Sequence, residues 1–458
     1  MKRITIVFFT LIFISVVISC ATFYELNYEF NQQFESGNIQ AAEEALAKNK
    51  RKLKKKTRFL YLANRGVLDA MQGDYEESNE WLEKAYLYTE DYQKNYANIA
   101  ASFLINPNLI EYPGEDHERL FILYYKALNY LKMGRYQEAL VECRRLNNRL
   151  YELSDKYKSE KKYQEDAFIH NLMGIIYEAS GDYNNAFIAY RNSHTIYEDQ
   201  YSKMFGLSTP HQLKKDLLRA AYLTGFDDQV RRFENEFNMK YDHKDHDSGE
   251  LVFFWHDGLA PVKDEWSINF TIVGNGGVVT FVNKEHGLNF SFPYDSDEKK
   301  NELTDLRFFR VAFPKYVERP LTFNEASIRL DQKKFPLEKA EDVNAIAFKT
   351  LNQRMVLEMG KSLLRAALKK IAEEEIRKES EGIGLLVGVI NATTEKADTR
   401  SWQTLPHSIY YTRVPLDKGS NEIKLNLSRK NSQFGQTETF SFEGIPGKTQ
   451  FHTYHTLH

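Results

Sequence analysis

A short segment near the carboxyl end, ADTRSW, carries the residue types of a small polar site. Asp398 and Arg400 are close enough to pair across a turn, and Trp402 offers an apolar surface that could anchor a ligand. The segment HDGLAP, from His256 to Pro261, could line the same site. In the structural alternative, Asp398 caps a turn, Arg400 neutralises it and Trp402 packs in the core. We favour this alternative, because no nucleophile or general base stands at a defined spacing.

The rest of the chain lacks the spacing patterns of common enzymes. HExxH, GxSxG, a P-loop and a CxxC pair are all absent. The segment YDHKDHDSGE brings His243, Asp245, His246 and Asp247 together, which are residue types that bind metals. Because the segment is a polar linker, we expect a solvated loop there. We predict no enzyme activity, no cofactor and no metal, and the net charge of -3 gives no general attraction to nucleic acid.

The first twenty residues form a characteristic pattern that ends at Cys20. Two basic residues are followed by an apolar stretch at residues 4–18, and small Ser19 precedes the cysteine. The apolar stretch is shorter than the ~20 residues that span a bilayer as a helix. This pattern is typical of a signal peptide (residues 1–19) that is cleaved before a cysteine carrying a diacylglycerol. An uncleaved signal anchor with an incidental cysteine is the alternative.

The residue after the cysteine indicates in which membrane the lipoprotein is expected. In diderm bacteria an Asp at this position is a common inner-membrane retention signal, whereas this chain has Ala21. We therefore expect an outer-membrane lipoprotein that faces the periplasm, with surface exposure as the alternative. The basic run at residues 48–58 is either a solvated helix end or a contact with anionic lipid or wall polymer.

Internal repeats dominate residues 20–238. In the copy LMGIIYEASGDYNNAFIAYRNS, small and aromatic residues fall where a tetratricopeptide repeat (TPR) has them, at Gly174, Tyr177, Gly181, Tyr183 and Ala186. The pattern predicts a helical hairpin that turns at a glycine. The small residues are expected to let the two helices approach closely, and the aromatic residues to fill the groove between neighbouring hairpins.

Further copies repeat this pattern along the chain. Gly73 and Tyr75 belong to one copy, and Gly134, Tyr136 and Ala139 to another. Degenerate copies surround the glycines at positions 37 and 225. Each hairpin cannot bury its apolar face alone, so the copies predict a stacked helical solenoid. The lone cysteine at position 143 falls at an apolar repeat position, which favours a buried, inert thiol.

After a polar linker at residues 239–249, the pattern changes to short segments of period two. A long amphipathic helix from Asp342 to about residue 378 interrupts them. We predict a mixed α+β domain at 250–458, with strands over 250–256, 266–273, 278–282, 288–292, 306–313, 326–330, 408–414, 422–427 and 437–442.

Four segments together resemble a family of bacterial TPR-containing outer-membrane lipoproteins. They are EYPGEDHERLFILYYKALNYLKMGRYQEALVECRRLNNRL, LVFFWHDGLAPVKDE, VNAIAFKTLNQRMVLEMGKSLLRAALKK and KADTRSWQTLPHSIYYTRVPLDKGSNEIKL. The resemblance covers nearly the whole mature chain, and the last segment is its most specific part. The chain departs from the pattern at Val17 and Ile18 before the cysteine, and at Gln403 and His407 in the last segment.

The resemblance implies a cell-envelope role. Such proteins look to be encoded, in some bacteria, beside lipoproteins that activate peptidoglycan synthases. We therefore expect a lipid-anchored scaffold or assembly factor that binds a protein partner through its repeats. The alternative is an envelope glycan-binding protein or enzyme with a site in the C-terminal domain. A pocket joining His256, Asp398 and Arg400 would favour that alternative, and an open repeat groove would favour the scaffold.

Overall fold

The computed structural model describes residues 22–48, 56–94, 110–157, 165–242, 249–275, 278–293, 308–379, 396–429 and 435–457. The predicted signal peptide, the predicted lipid-attachment residue Cys20 and the acidic histidine-rich segment at 243–247 lie outside these residues. Most of the basic run at residues 48–58 lies outside them as well.

The described chain up to residue 242 is helical. The helices are α1 (Phe23–Leu26), α2 (Tyr28–Glu35), α3 (Ile39–Lys48), α4 (Arg58–Gln72), α5 (Tyr75–Lys94), α6 (Asp116–Lys132), α7 (Tyr136–Tyr157), α8 (Ala167–Ala179), α9 (Tyr183–Ile196), α10 (Ser202–Phe205), α11 (His211–Leu223) and α12 (Asp227–Phe237). A π-helical turn, Tyr197–Tyr201, joins α9 to α10. Consecutive helices pair as the hairpins α2–α3, α4–α5, α6–α7, α8–α9 and α11–α12.

The glycines at the hairpin turns adopt a backbone conformation that other residues rarely take. Gly73, Gly134 and Gly181 have φ of 93°, 72° and 81°, in the left-handed region that favours glycine at a helix end. A Cβ atom at any of them would meet nothing within 4 Å. The expected close helix contact is therefore wrong for these three. It holds at Gly174, where a Cβ atom would lie 2.3 Å from the Tyr190 ring.

The other repeat residues divide by burial. Ala139 and Ala186 are fully buried, as a small residue between two helices should be. Tyr75 and Tyr136 are half-buried, and Tyr136 lies edge-on to the Phe451 ring of the C-terminal domain. Tyr183 is exposed, so the expectation that it fills a groove between hairpins is wrong. Half-buried Tyr177 accepts a hydrogen bond from the Arg144 guanidinium, and Cys143 is a buried thiol.

The C-terminal region is rich in strands. These are β1 (Glu250–Asp257), β2 (Val262–Asn275), β3 (Val278–Asn283), β4 (Leu288–Pro293), β5 (Phe308–Val317), β6 (Glu325–Leu330), β7 (Lys333–Asp342), β8 (Ser408–Pro415), β9 (Gly419–Ser428), β10 (Gly435–Gly444) and β11 (Thr449–Thr456). The sequence patterns did not predict β7 and β11. A helix, α13 (Val343–Glu379), separates β7 from β8.

The strands form two sheets. One has seven strands in the order β10-β9-β6-β7-β8-β1-β11, and the other has four in the order β4-β3-β2-β5. Only β1 and β11 pair in parallel among the described strands. The helix α13 covers the smaller sheet, because Met359 and Leu363 share a core with Phe270, Phe281 and Phe313.

One face of the seven-stranded sheet lies against the solenoid. Along β1, Val252 and Phe254 join the core of the helices, whereas the alternating residues Leu251 and Phe253 join a second core on the other face. The side of α4, α6 and α8 that the sheet covers is called the inner face below. The inner face is therefore occupied by the C-terminal domain of the same chain.

Candidate functional site

The Arg400 side chain links the C-terminal domain to the solenoid. Its Nε and Nη2 atoms each donate to the Asp398 carboxylate at 2.8 Å. Its Nη1 donates to the carbonyl oxygens of Lys56 and Ile110, at 2.7 and 2.9 Å. Burial alone would raise the pKa of Asp398, but the Arg400 guanidinium holds that pKa below its ordinary value. Both side chains are thus engaged in structural contacts.

The Trp402 side chain lies at the same junction. It is 1% exposed, and its ring is edge-on to Phe59 of α4. Its backbone N–H donates to Glu118 of α6 at 2.6 Å, and its ring N–H donates to the Thr404 hydroxyl at 2.8 Å. The segment therefore packs between the helices α4 and α6 and the sheet, in the core that also contains Ile409 and Tyr411 of β8.

His256 belongs to a different part of the interface. Its Nε2 atom lies 2.9 Å from the Tyr124 hydroxyl of α6, and its ring is 4.5 Å from that of His455. Burial lowers its pKa well below the ordinary value, so the imidazole is neutral. The ring of Tyr125 lies between His256 and Trp402, at about 6 Å from each. His256 therefore does not form a pocket with Asp398 and Arg400.

Gln403 and His407, two further polar residues of the segment that contains Trp402, are also buried. His407 is 4% exposed, and its ring nitrogens lie 2.9 Å from the Ser408 hydroxyl and 3.0 Å from the Glu318 carboxylate. The backbone carbonyl of Gln403 accepts a hydrogen bond from Arg319. These residues hold loops of the C-terminal domain in place.

A buried ion-pair cluster, which the sequence did not reveal, fastens the two domains at a second point. Arg413 of β8 pairs with Glu178 at 2.6 Å, Asp216 at 3.0 Å and Glu250 at 2.5 Å. Arg219 of α11 also pairs with Glu178 and Glu250. Burial would raise the pKa of Glu250, but Arg413 and Arg219 lower it to about 2. The partners are far apart in sequence, so no local pattern marks them.

The outer side of the solenoid carries an open cleft of about 510 Å³. Its floor includes Lys126 and Tyr130 of α6. At about 100° per residue, these positions lie on the opposite side of α6 from Phe121 and Tyr124, which belong to the shared core. The cleft therefore opens away from the C-terminal domain, between α5 and α7.

Charged side chains connect the two walls of this cleft. Glu76 pairs with Arg135 at 2.5 Å, and Glu83 pairs with Arg145 at 3.3 Å. Lys126 on the floor pairs with Glu83 and also with Glu142, which is 2.7 Å away. Farther along, Glu90 pairs with Arg149 at 3.0 Å. Glutamates at positions 76, 83 and 90 recur every two turns of α5, a stripe that the sequence could have revealed.

Comparisons with known proteins do not assign a family or a function to the chain. No protein-family model matches the chain, and no functionally curated protein matches its sequence. Solved structures that resemble it include BtubC (BKLC) from P. vanneervenii, at 14% identity over 47% of this chain and 80% of that chain, with a TM-score of 0.30. The Rap conjugation gene regulator of plasmid pLS20, solved with the Phr* peptide, is 16% identical over 47% of this chain and 54% of its own, with a TM-score of 0.28.

A tetratricopeptide repeat protein from Parabacteroides merdae is 14% identical over 48% of this chain and 79% of its own, with a TM-score of 0.21. Identities and TM-scores this low carry no argument about function.

Among the described residues, no helix is both long and apolar enough to cross a membrane. The same part of the chain contains no group of three or more His, Cys, Asp or Glu side chains arranged to bind a metal.

Proposed function

We propose that the protein is a lipid-anchored interaction protein of the bacterial cell envelope, which binds a protein partner on the outer side of its helical repeats. The observation that carries this proposal is the cleft between α5 and α7. The inner face is covered by the chain's own sheet, whereas the cleft is open and lined by polar and charged groups. Its volume is in the range of pockets that enclose small molecules, so it has room for a side chain of a partner.

The start of the folded body supports attachment close to a membrane. The backbone N–H of Phe23 donates to the Thr399 hydroxyl at 3.0 Å, and the Phe23 side chain is buried. Three residues of chain span at most about 10 Å. A diacylglycerol on Cys20 would therefore hold the body near the lipid headgroups of the outer membrane, facing the periplasm.

Replacing Cys20 with serine tests the anchor. The Cys20→Ser protein should move from the membrane fraction to the soluble periplasm, because stable anchoring needs the acyl chains that the cysteine carries. Cell fractionation measures this, and cleavage of the signal peptide is checked by mass spectrometry. An unmodified Cys20 in the mature wild-type protein would contradict the proposal.

A photocrosslinking amino acid tests the partner surface. Benzoylphenylalanine in place of half-buried Tyr130 puts the reactive group inside the cleft, and the same change at Tyr183, an exposed tyrosine on α9, is the matched control. In the native envelope we expect a discrete crosslinked protein from position 130 and none from position 183. Equal crosslinking at both positions, or none at position 130, would refute the proposed surface.

A further inference from the structure

We propose that the cleft between α5 and α7 binds a basic side chain of the protein partner, presented on an extended peptide segment. This inference rests on the proposed function and specifies the chemistry of the partner. The pairs Glu76–Arg135 and Glu83–Arg145 both cross the cleft, and Glu80 lies between them on α5, about one turn from each glutamate.

Glu80 is the carboxylate that is most available to a ligand. Its side chain is 72% exposed, and its ion pair is a 3.6 Å contact with Lys84 of the same helix, which is itself half exposed. An exposed pair at this separation holds its members weakly. A cation that enters the cleft can therefore take Glu80 as a partner without breaking a strong interaction.

Asn79 supplies an independent sign that the cleft takes a ligand. Its side chain lines the cleft and is 7% exposed. The amide oxygen accepts a hydrogen bond from Asn129 at 2.9 Å, whereas the amide nitrogen has no partner among the described residues. Buried donors are nearly always satisfied. The nitrogen itself is covered by the protein, so the side chain has to turn toward the cleft before it can donate to a peptide carbonyl oxygen.

The charges favour a basic ligand over an acidic one. Three cations face the cleft from its floor and far wall. Lys126 and Arg145 already pair with Glu83 and Glu142, and Arg135 pairs with Glu76. An acidic ligand would have to displace those carboxylates, whereas a basic ligand competes only with the weak contact between Glu80 and Lys84. A lysine or arginine flanked by peptide carbonyls satisfies both Glu80 and Asn79.

Two short peptides test this assignment on the purified full-length chain. The probes are fluorescently labelled acetyl-Gly-Lys-Lys-Gly-amide and acetyl-Gly-Glu-Glu-Gly-amide, and binding is measured by fluorescence anisotropy. We expect only the lysine peptide to bind, with an affinity that falls as salt is raised. Glu80→Gln should weaken binding roughly three- to tenfold. The matched control Asp228→Asn removes an exposed carboxylate from α12 and should leave binding unchanged.

A second variant guards against misfolding effects. Asn79→Ala should also weaken binding, and thermal unfolding shows whether the variant retains the fold; Glu80→Gln alters only an exposed side chain. Unchanged binding in Glu80→Gln, equal binding of the glutamate peptide, or no binding of the lysine peptide would each overturn the inference. If the crosslink from position 130 persists in any of these cases, the proposed function stands and only the basic specificity is lost.

Discussion

Truncating Trp402 should loosen both domains at once. The indole is in contact with Phe59 of α4 and Tyr125 of α6, at ring separations of 6.2 and 6.0 Å. It also belongs to the core that contains Ile409 and Tyr411 of β8. Trp402→Ala would leave a cavity at the junction of the helices and the sheet, so we expect the two domains to lose stability together.

The burial of Trp402 determines how much stability the Trp402→Ala protein is expected to lose. Truncation of a buried tryptophan to alanine typically costs about 3–5 kcal/mol. The lost hydrogen bond adds little, because the Thr404 hydroxyl still donates to Asn64 at 2.9 Å and is not left without a partner. We therefore expect the free energy of unfolding to fall by about 4 kcal/mol. Trp402→Phe keeps a ring in the same space and should cost less than half of that.

Urea unfolding followed by far-ultraviolet circular dichroism measures this change, and it does not depend on the fluorescence of the residue that is replaced. A loss below about 1 kcal/mol would refute a core role for Trp402. Arg400→Ala should also lower stability, because Arg400 holds two solenoid carbonyls. A fully stable Arg400→Ala protein that has lost its envelope function would favour a binding or catalytic site in this segment.

Three further changes test other parts of the fold. Ala186→Leu should overpack the fully buried contact between α8 and α9 and cost about 1–3 kcal/mol, and an unchanged thermal unfolding midpoint would contradict this. Arg413→Met should cost about 3–5 kcal/mol in urea unfolding, because it leaves buried carboxylates without their cation; full stability in this variant would show that the cluster does not fasten the domains. Burial and a hydrogen bond to Asp166 raise the pKa of Glu341 well above its ordinary value of 4.5, so its stability contribution is present below pH 4.5 and is lost as pH rises through the raised pKa. Glu341→Gln should therefore gain stability relative to wild type from pH 5 to pH 8, and a parallel pH dependence in the two proteins would rule this out.

Much of the helical region could be predicted, because its signals are local. A glycine that ends one helix and begins a turn specifies the backbone at that point, and the hairpins fall where Gly73, Gly134 and Gly181 place them. Most strands could also be predicted from alternating apolar residues. The burial of the aromatic residues is harder to predict from the sequence, because whether Tyr183 is buried depends on how neighbouring hairpins stack.

The two missed strands lack a strong local pattern. β7 reads KKFPLEKAED, in which charge and a proline hide the strand, yet it pairs with β6 and β8. β11 reads TQFHTYHT, and its residues are stabilised by pairing with β1, almost 200 positions earlier. The interface contacts of Arg413 and Trp402 have the same origin. They arise from partners that only the folded chain brings together.

The filled inner face changes how a repeat protein of this kind can bind. A peptide that entered the inner face would have to displace the sheet, breaking the ion pairs of Arg413 and removing Trp402 from its core. Each of these losses costs several kcal/mol, on the order of 3–5. A peptide in the cleft between α5 and α7 breaks neither, because the cleft lies on the opposite side of α6. Binding on the outer side therefore leaves the fold intact, and a partner that did open the inner face would reveal itself by lowering the urea midpoint of the whole chain.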